Sequence, residues 1–266
     1  MIPQLIEKAR KIVIKFGSNT LAGVNGRIND ALLAEFAEQA AALIKQGKQI
    51  VIVSSGAQVA GLSAMDRWER KRDLHYRQAL CAVGQVKLMH AWERAFSPQG
   101  IQIAQILLTR DDFADNTRTL NMRNTLFTLV DEGIVPIINE NDTVSVEEIK
   151  IGDNDTLAAQ SAILWSADLL VMFSDIDGLY DRNPKQYSDA KLVSEVRDIA
   201  AARQSVSTAG NDGGAGEFGT GGIVTKLDAA EQVVSYGIPM ILAHGGRKRA
   251  LETLAAGTGQ GTAFLA

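Results

Sequence analysis

The sequence has little of what several kinds of site require. Its 266 residues include one cysteine, Cys81, and three scattered histidines, so an intrachain disulfide is excluded and a structural zinc site is not expected. The net charge is −4 at neutral pH, whereas a nucleic-acid-binding protein usually carries a basic excess. No stretch approaches the roughly 20 apolar residues of a membrane-spanning helix, and residues 1–10 contain no apolar run of signal-peptide length. We therefore expect a cytoplasmic protein with neither nucleic acid nor membrane among its partners.

Short apolar segments alternate with segments of helical periodicity along most of the chain. Predicted strands cover residues 12–14, 50–53, 101–108, 134–139, 169–173 and, last in the chain, 240–242. Predicted helices cover residues 29–46, 77–96, 119–132 and 154–166, and an added hairpin is predicted at 143–151. Apolar strands separated by amphipathic helices are typical of a parallel sheet with helices on both faces. The pattern predicts an α/β fold, a three-layer α/β/α sandwich with a mainly parallel central sheet, forming a single domain over residues 1–266.

The loops after the first two predicted strands contain residues suited to binding anions, and ligands of such sheets bind beyond the carboxyl ends of the strands. The first strand ends in Lys15-Phe16-Gly17-Ser18, where the glycine lets backbone amides approach a phosphate and the lysine supplies a positive charge. The second runs into Ser54-Ser55-Gly56-Ala57, whose hydroxyls and amides can bind a carboxylate. The alternative interpretation of the first loop is a turn with an exposed lysine. The alternative for the second loop is a tight strand-to-helix turn.

Two clusters of acidic and amide residues flank the predicted hairpin. They are Asn139-Glu140-Asn141-Asp142 and Gly152-Asp153-Asn154-Asp155. A single cluster of this kind is most often turn chemistry, because Asn and Asp side chains cap turns. Two of them at one strand end favour a function, since carboxylates there can bind an ammonium group, order lysines or hold Mg²⁺.

A glycine-rich segment, with seven glycines among residues 210–222, leads into a predicted helix. Its last part is Gly219-Thr220-Gly221-Gly222-Ile223-Val224-Thr225-Lys226. Successive amides at the start of a helix can bind a phosphate, and a lysine one turn later can reach its terminal oxygens. The pattern matches neither the P-loop nor the dinucleotide-binding fingerprint, and the alternative interpretation is a surface loop without a ligand.

These segments together indicate phosphoryl transfer, which depends mainly on positioning and charge neutralisation. Lys15 and Lys226 can converge on the transferred group and offset the charge that develops on its oxygens. Asp155 or Asp153 can hold both ammonium groups in place. A carboxylate acceptor is already ionised at neutral pH and needs no general base, which agrees with the scarcity of histidine. The residues thus predict an enzyme that transfers a phosphoryl group from a nucleotide to a small acidic acceptor.

Six segments occur together in the order found in a known family. They are Lys15-Phe16-Gly17-Ser18, Val53-Ser54-Ser55-Gly56-Ala57, Asn139-Glu140-Asn141-Asp142, Gly152-Asp153-Asn154-Asp155, Ser174-Asp175 and Gly219-Thr220-Gly221-Gly222 with Thr225-Lys226. Over essentially its whole length the chain resembles the glutamate 5-kinases of the amino acid kinase superfamily. N-acetylglutamate kinase and aspartokinase resemble Lys-x-Gly-Gly at the first loop, whereas this chain has Ser18 as the fourth residue.

The resemblance implies ATP-dependent phosphorylation of the side-chain carboxylate of L-glutamate to L-glutamyl 5-phosphate, the first step of proline biosynthesis, with Mg²⁺ required. It implies that Lys15, Lys226 and Asp155 are catalytic and assigns no protein ligand to the metal. The implied acceptor-binding residues are Ser55, Gly56, Asn139, Asp142, Asp153 and Asn154, with Asp142 suited to the ammonium group. The implied nucleotide-binding residues are Lys15, Gly17, Ser174, Asp175, Thr220, Gly221, Gly222, Ile223, Val224, Thr225 and Lys226.

The organisation of the chain predicts an acceptor half, about 1–166, and a nucleotide half, about 167–266. The resemblance implies a homo-oligomer and feedback inhibition by proline. The chain departs from the family in three respects. We expect no C-terminal PUA domain of the RNA-binding type, which many glutamate 5-kinases carry, and Ile223 and Ser174 stand where a methionine and a threonine are common.

Two alternatives stay open at this point. One is another carboxylate or carbamate kinase of the same fold, which the choice of acceptor would distinguish. The other is a catalytically silent amino-acid sensor. The presence of Lys15, Lys226 and Asp155 argues against the sensor.

Overall fold

The structure is a computed structural model that describes residues 1–23, 27–65, 73–145, 154–182, 184, 186–208 and 222–266. The strands are β1 (Lys11–Phe16), β2 (Gln49–Ser54), β3 (Ile103–Leu108), β4 (Val135–Glu140), β5 (Leu169–Ser174), β6 (Glu195–Val196), β7 (Met240–His244) and β8 (Gly261–Phe264). The helices of the first half are α1 (Ile2–Lys8), α2 (Ser18–Leu21), α3 (Asp30–Lys45), α4 (Ala57–Met65), α5 (Leu74–Phe96), α6 (Arg110–Ala114) and α7 (Asn116–Asp131). Those of the second half are α8 (Asn154–Trp165), α9 (Ile199–Thr208), α10 (Ile223–Ser235) and α11 (Ala250–Ala256).

The strands form one sheet in the order β3-β4-β2-β1-β5-β7-β8-β6. Every pair in it is parallel except β7 with β8. Strand β1 lies between β2 and β5, so the two predicted halves of the chain meet within the same sheet. The predicted mainly parallel sheet is confirmed. The division into an acceptor half and a nucleotide half stays a prediction.

The helices cover both faces of the sheet because side chains of a strand alternate in direction. In β1, Ile12, Ile14 and Phe16 belong to one apolar core, which includes residues of α3 and α5. Val13, on the opposite face, belongs to a second core built with α8 and α10. The central strands are apolar on both faces for this reason, and the predicted three-layer sandwich is confirmed.

The prediction that the strand at 240–242 is the last in the chain is wrong, because β8 follows β7. The two-residue strand β6, between β5 and β7 in the chain, was also not predicted. Strand β8, Gly261-Thr262-Ala263-Phe264, has no run of β-branched residues, and its backbone pairs antiparallel with β7. Its Thr262 is fully buried, and the hydroxyl accepts from the Leu179 amide and donates to the Val193 carbonyl. Tertiary pairing, not local composition, makes this segment a strand. Of the predicted hairpin, residues 146–151 lie outside the described residues.

Helices α4 and α5 cross at two glycines, and this crossing fixes the backbone beside the end of β2. A Cβ atom on Gly84 would lie 1.8 Å from the Ala57 carbonyl oxygen, and one on Gly61 would lie 2.1 Å from the Leu80 carbonyl oxygen. Only glycine permits such an approach. Along the described part of the chain, no helix is both long and apolar enough to span a membrane.

Candidate active site

The carboxyl ends of the central strands lie along one edge of the sheet, and this arrangement brings the predicted site residues close together. Lys15 lies near the end of β1, Ser55 follows β2, and Asn139 is in β4. Helix α8 begins with Asn154 and Asp155. In a parallel sheet these termini share an edge, where ligands bind.

Asp155 connects the two predicted catalytic lysines. Its Oδ1 lies 2.6 Å from Lys15 Nζ, and its Oδ2 lies 3.2 Å from Lys226 Nζ. The Thr225 hydroxyl donates to the same Oδ2 at 2.7 Å. All three ionisable side chains are buried, Asp155 to within 1% of complete burial. The structure thus brings together the three residues for which convergence was predicted.

Opposing effects determine the protonation of Asp155. Burial alone raises the pKa of its carboxyl group, but the charges of Lys15 and Lys226, with hydrogen bonds from Lys15 and Thr225, outweigh it and hold the pKa well below its usual range. Asp155 is therefore ionised at neutral pH. Lys15, Lys226 and Asp155 taken together carry two positive charges and one negative charge. An arriving phosphate would complement this net positive charge.

The start of α10 explains how Lys226 reaches the cluster. Gly222 is the N-cap residue of α10, and its carbonyl oxygen accepts from the Thr225 hydroxyl at 2.9 Å and from Lys226 Nζ at 3.4 Å. The first turn of the helix thereby folds both side chains back toward Asp155. Ile223 is nearly buried, whereas Val224 is exposed, so only one face of this turn is directed to the protein interior.

A network of neutral side chains meets Asn154, the first residue of α8. Asn154 Nδ2 donates to Ser55 Oγ at 2.6 Å and to Asn139 Oδ1 at 3.0 Å. Asn154 and Asn139 are each 1% exposed. Gly56, which follows Ser55, has φ +104°, a conformation that glycine adopts without strain. The structure thus brings together the predicted acceptor residues Ser55, Gly56, Asn139 and Asn154.

Asp142 is buried beside helix α5, near a second carboxylate. Its backbone carbonyl accepts from Gln78 Nε2 at 3.2 Å. Burial, and then the charge of Glu140, raise the pKa of Asp142 to about 7, although a hydrogen bond from Cys81 and the charge of Arg77 act in the opposite direction. An ammonium group bound here would stabilise the ionised form of Asp142.

Three predicted nucleotide-binding residues lie where β1 and β5 end, namely Gly17, Ser174 and Asp175. Ser174 Oγ donates to Asp175 Oδ1 at 3.1 Å, and Asn19 Nδ2 donates to Asp175 Oδ2 at 3.2 Å. The Gly17 amide donates to the Phe173 carbonyl at 3.2 Å, which joins the first loop to β5. Gly17, Ser174 and Asp175 therefore lie at adjacent strand ends. Asp153, Thr220 and Gly221, which were also predicted, lie outside the described residues.

Comparison with known proteins identifies the family. The family model described as "Amino acid kinase family" matches residues 10–255. The chain belongs to the amino acid kinase family. It is 58% identical over 266 residues to the glutamate 5-kinase of Alkaliphilus metalliredigens (strain QYMF), covering 100% of this chain and 99% of the relative. It is 42% identical over 297 residues to that of Treponema pallidum (strain Nichols), covering 100% of this chain and 99% of the relative. The recognised resemblance to the glutamate 5-kinases is confirmed.

Other relatives are longer, and solved structures match at the level of fold. The chain is 46% identical over 261 residues to the glutamate 5-kinase of Geobacter sulfurreducens, and the match covers 98% of this chain but 69% of that relative. Among solved structures it is similar to UMP kinase from Ureaplasma parvum, with a TM-score of 0.66, 16% identity and coverage of 97% of this chain and 100% of that one. An isopentenyl phosphate kinase gives a TM-score of 0.63 at 16% identity, with coverage of 96% and 99%. These structures support the amino acid kinase fold alone.

Helix α5 supplies site contacts of this amino acid kinase that sequence reasoning missed. Gln78 contacts Asp142, Gln85 contacts Asn139, and Trp92 Nε1 donates to Ser54 Oγ at 2.9 Å. The spacing of seven residues between these three positions places them on one helix face. Two glutamines at that spacing on an otherwise apolar face were the available signal. The described residues contain no group of three or more His, Cys, Asp or Glu side chains that could hold a metal ion.

Asp155→Asn should strongly destabilise the protein, because it leaves two buried ammonium groups without their counter-charge. Breaking a buried ion pair on one side costs about 3–5 kcal/mol, measurable as a lower free energy of unfolding in urea at pH 7. The folded-state pKa of Asp155 is lowered, so its contribution is present above the unfolded value of about 3.9 and is lost as the pH falls through the folded value. The difference in the free energy of unfolding between wild type and Asp155→Asn should therefore become smaller only at acid pH.

Asp189→Asn is the matched control, since Asp189 pairs with Arg182 at the surface and its side chain is 72% exposed. Its effect should stay below about 1 kcal/mol. Adding Lys226→Met to Asp155→Asn should recover part of the lost stability by removing one uncompensated charge. If Asp155→Asn and the control lowered the free energy of unfolding by equally small amounts, Asp155 would not stabilise the buried cluster.

Proposed function

We propose that the chain transfers the γ-phosphoryl group of ATP to the side-chain carboxylate of L-glutamate, giving L-glutamyl 5-phosphate and ADP in the first step of proline biosynthesis. The observation that carries the proposal is the meeting of Lys15 and Lys226 on Asp155, next to Asn154, which donates to Ser55. The full-length similarity to relatives named glutamate 5-kinase supports glutamate as the acceptor.

In the proposed reaction, a carboxylate oxygen of glutamate attacks the γ-phosphorus. A bond forms between that oxygen and phosphorus, and the bond from phosphorus to the oxygen that bridges to the β-phosphate breaks. No proton has to move, because the acceptor is already ionised and ADP leaves as an anion. A base is therefore not required. Asp155 is unsuited to that role in any case, since its carboxylate is ionised and accepts from both lysines.

The two lysines supply the charge stabilisation. Negative charge spreads over the oxygens of the transferred group in the transition state, and ammonium groups already in place act without reorganisation. Asp155 holds both of them in place, one on each carboxylate oxygen. We propose that Lys15 contacts the phosphates from β1 and that Lys226 contacts them from α10. Gly17, Ser174, Asp175 and residues 220–225 would hold the rest of the nucleotide.

ATP would enter as its magnesium complex. In sites of this kind Mg²⁺ takes many of its oxygen ligands from phosphates and water and needs only one or two protein carboxylates. Both oxygens of Asp155 are already occupied by Lys15, Lys226 and Thr225. The bound ion would neutralise charge on the β- and γ-phosphates.

Ser55, Asn139, Asn154 and Asp142 would bind the acceptor. The Ser55 hydroxyl, which accepts from Asn154, can donate to a carboxylate oxygen, Asn139 and Asn154 add polar amide groups beside it, and Asp142 is suited to the α-ammonium group. An N-acetylated amino acid has no ammonium group to pair with Asp142. This pairing is what favours glutamate over N-acetylglutamate.

The purified protein with ATP and Mg²⁺ should form ADP in the presence of L-glutamate, and much less with N-acetyl-L-glutamate or L-aspartate. Trapping with hydroxylamine should yield the hydroxamate of an acyl phosphate. A preference for one of the other acceptors, or for carbamate, would contradict the proposal. Calorimetry that detects glutamate binding without turnover would favour the amino-acid sensor.

Lys226→Ala should lower kcat far more than it changes the KM for glutamate, because its contact with the phosphoryl group strengthens in the transition state. The loss of one such electrostatic contact typically costs about 10²- to 10³-fold in kcat. Lys45→Ala, at an exposed position of α3, is the control and should leave both constants unchanged. Steady-state kinetics that show a raised KM with an unchanged kcat would mean that Lys226 binds the acceptor instead.

Asp142 should give a pH dependence to glutamate capture. Its pKa is raised to about 7, so a rise in pH through that value ionises the group that pairs with the ammonium of glutamate. The quantity kcat/KM for glutamate should rise across this range, since it reports the free enzyme. Asp142→Asn should flatten the rise and lower the plateau by about 10- to 100-fold, the range for hydrogen bonds to charged groups.

Glu140→Gln provides the companion measurement. The charge of Glu140 is one cause of the raised pKa of Asp142, so its removal should move the rise in kcat/KM to lower pH. A rise that is identical in wild type and Asp142→Asn would assign the titration to another group.

A further inference from the structure

A chain of side-chain amides continues from the acceptor pocket into helix α5. Asn154 Nδ2 donates to Asn139 Oδ1 at 3.0 Å, and Asn139 Nδ2 donates to Gln85 Oε1 at 2.8 Å. All three side chains are buried, with Gln85 8% exposed. Gln85 is thus the far end of a connected series that begins at Ser55, to which Asn154 also donates at 2.6 Å.

The position of Gln85 determines the orientation of the other amides. An amide has a donor end and an acceptor end that differ only in direction. Because Gln85 presents its oxygen to Asn139, the NH₂ group of Asn139 faces α5 and its oxygen faces Asn154. The NH₂ group of Asn154 is then directed to Asn139 and Ser55. Without the Gln85 oxygen, Asn139 could rotate and place its NH₂ group against that of Asn154.

We propose that Gln85 is a positioning residue for the acceptor, which acts through Asn139 to hold Asn154 and Ser55 in their binding orientation. The inference rests on the proposed function, since it deepens the description of the same site. Gln85 is not assigned a contact with the phosphoryl group or the nucleotide. Its influence should therefore fall on the acceptor alone.

The NH₂ end of the Gln85 side-chain amide argues for a functional rather than a stabilising role. Gln85 Nε2 is buried and has no hydrogen-bond partner in the described part of the chain. A buried donor without a partner lowers stability. The buried Gln39 of α3 differs, because its Nε2 donates to the Glu35 carbonyl and its Oε1 accepts from the Glu252 amide, both at 2.9 Å.

The backbone around Gln85 is held firmly enough for such a role. Its neighbour Gly84 lies at the close crossing with α4, where a Cβ atom would be 1.8 Å from the Ala57 carbonyl oxygen. Two turns further along, Trp92 donates to Ser54 at the end of β2. Helix α5 is therefore anchored to the same loop that carries Ser55. A side chain from α5 thus has a defined position relative to Ser55 and Asn154.

The test compares Gln85→Met with Gln39→Met. Both variants replace a buried glutamine by an apolar side chain of similar size. Gln85→Met should raise the KM and the calorimetric Kd for glutamate about ten-fold, as expected for the loss of one oriented hydrogen bond. It should leave the KM for ATP within about two-fold. It should lower the melting temperature less than Gln39→Met does, because it removes the unpaired Gln85 Nε2 while it leaves Asn139 Nδ2 without its acceptor. Gln39→Met should lower the melting temperature and leave the kinetic constants unchanged.

A double-mutant cycle tests whether Gln85 acts through Asn139. In an Asn139→Ala background, or in Asn139→Leu if the first variant does not fold, Gln85→Met should have no further effect on glutamate binding. A full effect in that background would overturn the inference. An unchanged glutamate Kd in Gln85→Met, or equal changes for glutamate and ATP, would also overturn it.

The outcomes separate this inference from the proposed function. Wild-type protein that binds glutamate without forming ADP would contradict the proposed function, while the glutamate Kd of the variants would still decide the role of Gln85. Wild-type protein that turns over glutamate, with variants that bind it as wild type does, would contradict the role of Gln85 alone. Wild-type protein that does not bind glutamate would contradict both.

Discussion

A buried carboxylate between two buried ammonium groups is the constraint around which the candidate site is organised. Ions are costly to remove from water unless each has a partner of opposite sign. Asp155 serves both lysines at once, through different oxygens. Lys15, Lys226 and Asp155 together carry one net positive charge, which an anion bound beside them would compensate. The groups that hold the free protein together are thus the groups that would attract a nucleotide phosphate.

The order of the strands makes this cluster possible. Asp155 lies 140 residues from Lys15 and 71 residues from Lys226 in the chain. Strand β1 is central, and it pairs with β2 from the first half and β5 from the second. Helices α8 and α10 pack in the same apolar core on one face of the sheet. A lysine from the central strand and one from α10 can therefore meet the first turn of α8.

Sequence reasoning predicted what local chemistry determines and missed what pairing determines. The buried strands were predictable because β-branched and apolar residues fill both of their faces. The two lysines were predictable because phosphoryl transfer requires their charges, whereas the choice of Asp155 over Asp153 came from the resemblance to the family. Strand β8 was missed because Gly261 and Thr262 become strand residues only by pairing with β7. Gln78 and Gln85 were missed since a neutral amide has no charge that points to chemistry. Their partners Asp142 and Asn139 are distant in sequence.

Charged and neutral networks divide the site, and the first turn of α8 belongs to both. Asn154 orients the neutral acceptor side through Ser55 and Asn139. The next residue, Asp155, orients the charged side. Burying a neutral amide costs less desolvation free energy than burying an ion. Neutral amides are therefore suited to orient the proposed acceptor, which carries its own charge. Asn154 and Asp155 are adjacent on one backbone segment, so the neutral network and the charged cluster have a fixed relative position. In the proposed reaction this would fix the acceptor relative to the lysines, as an in-line transfer between two separately bound substrates requires.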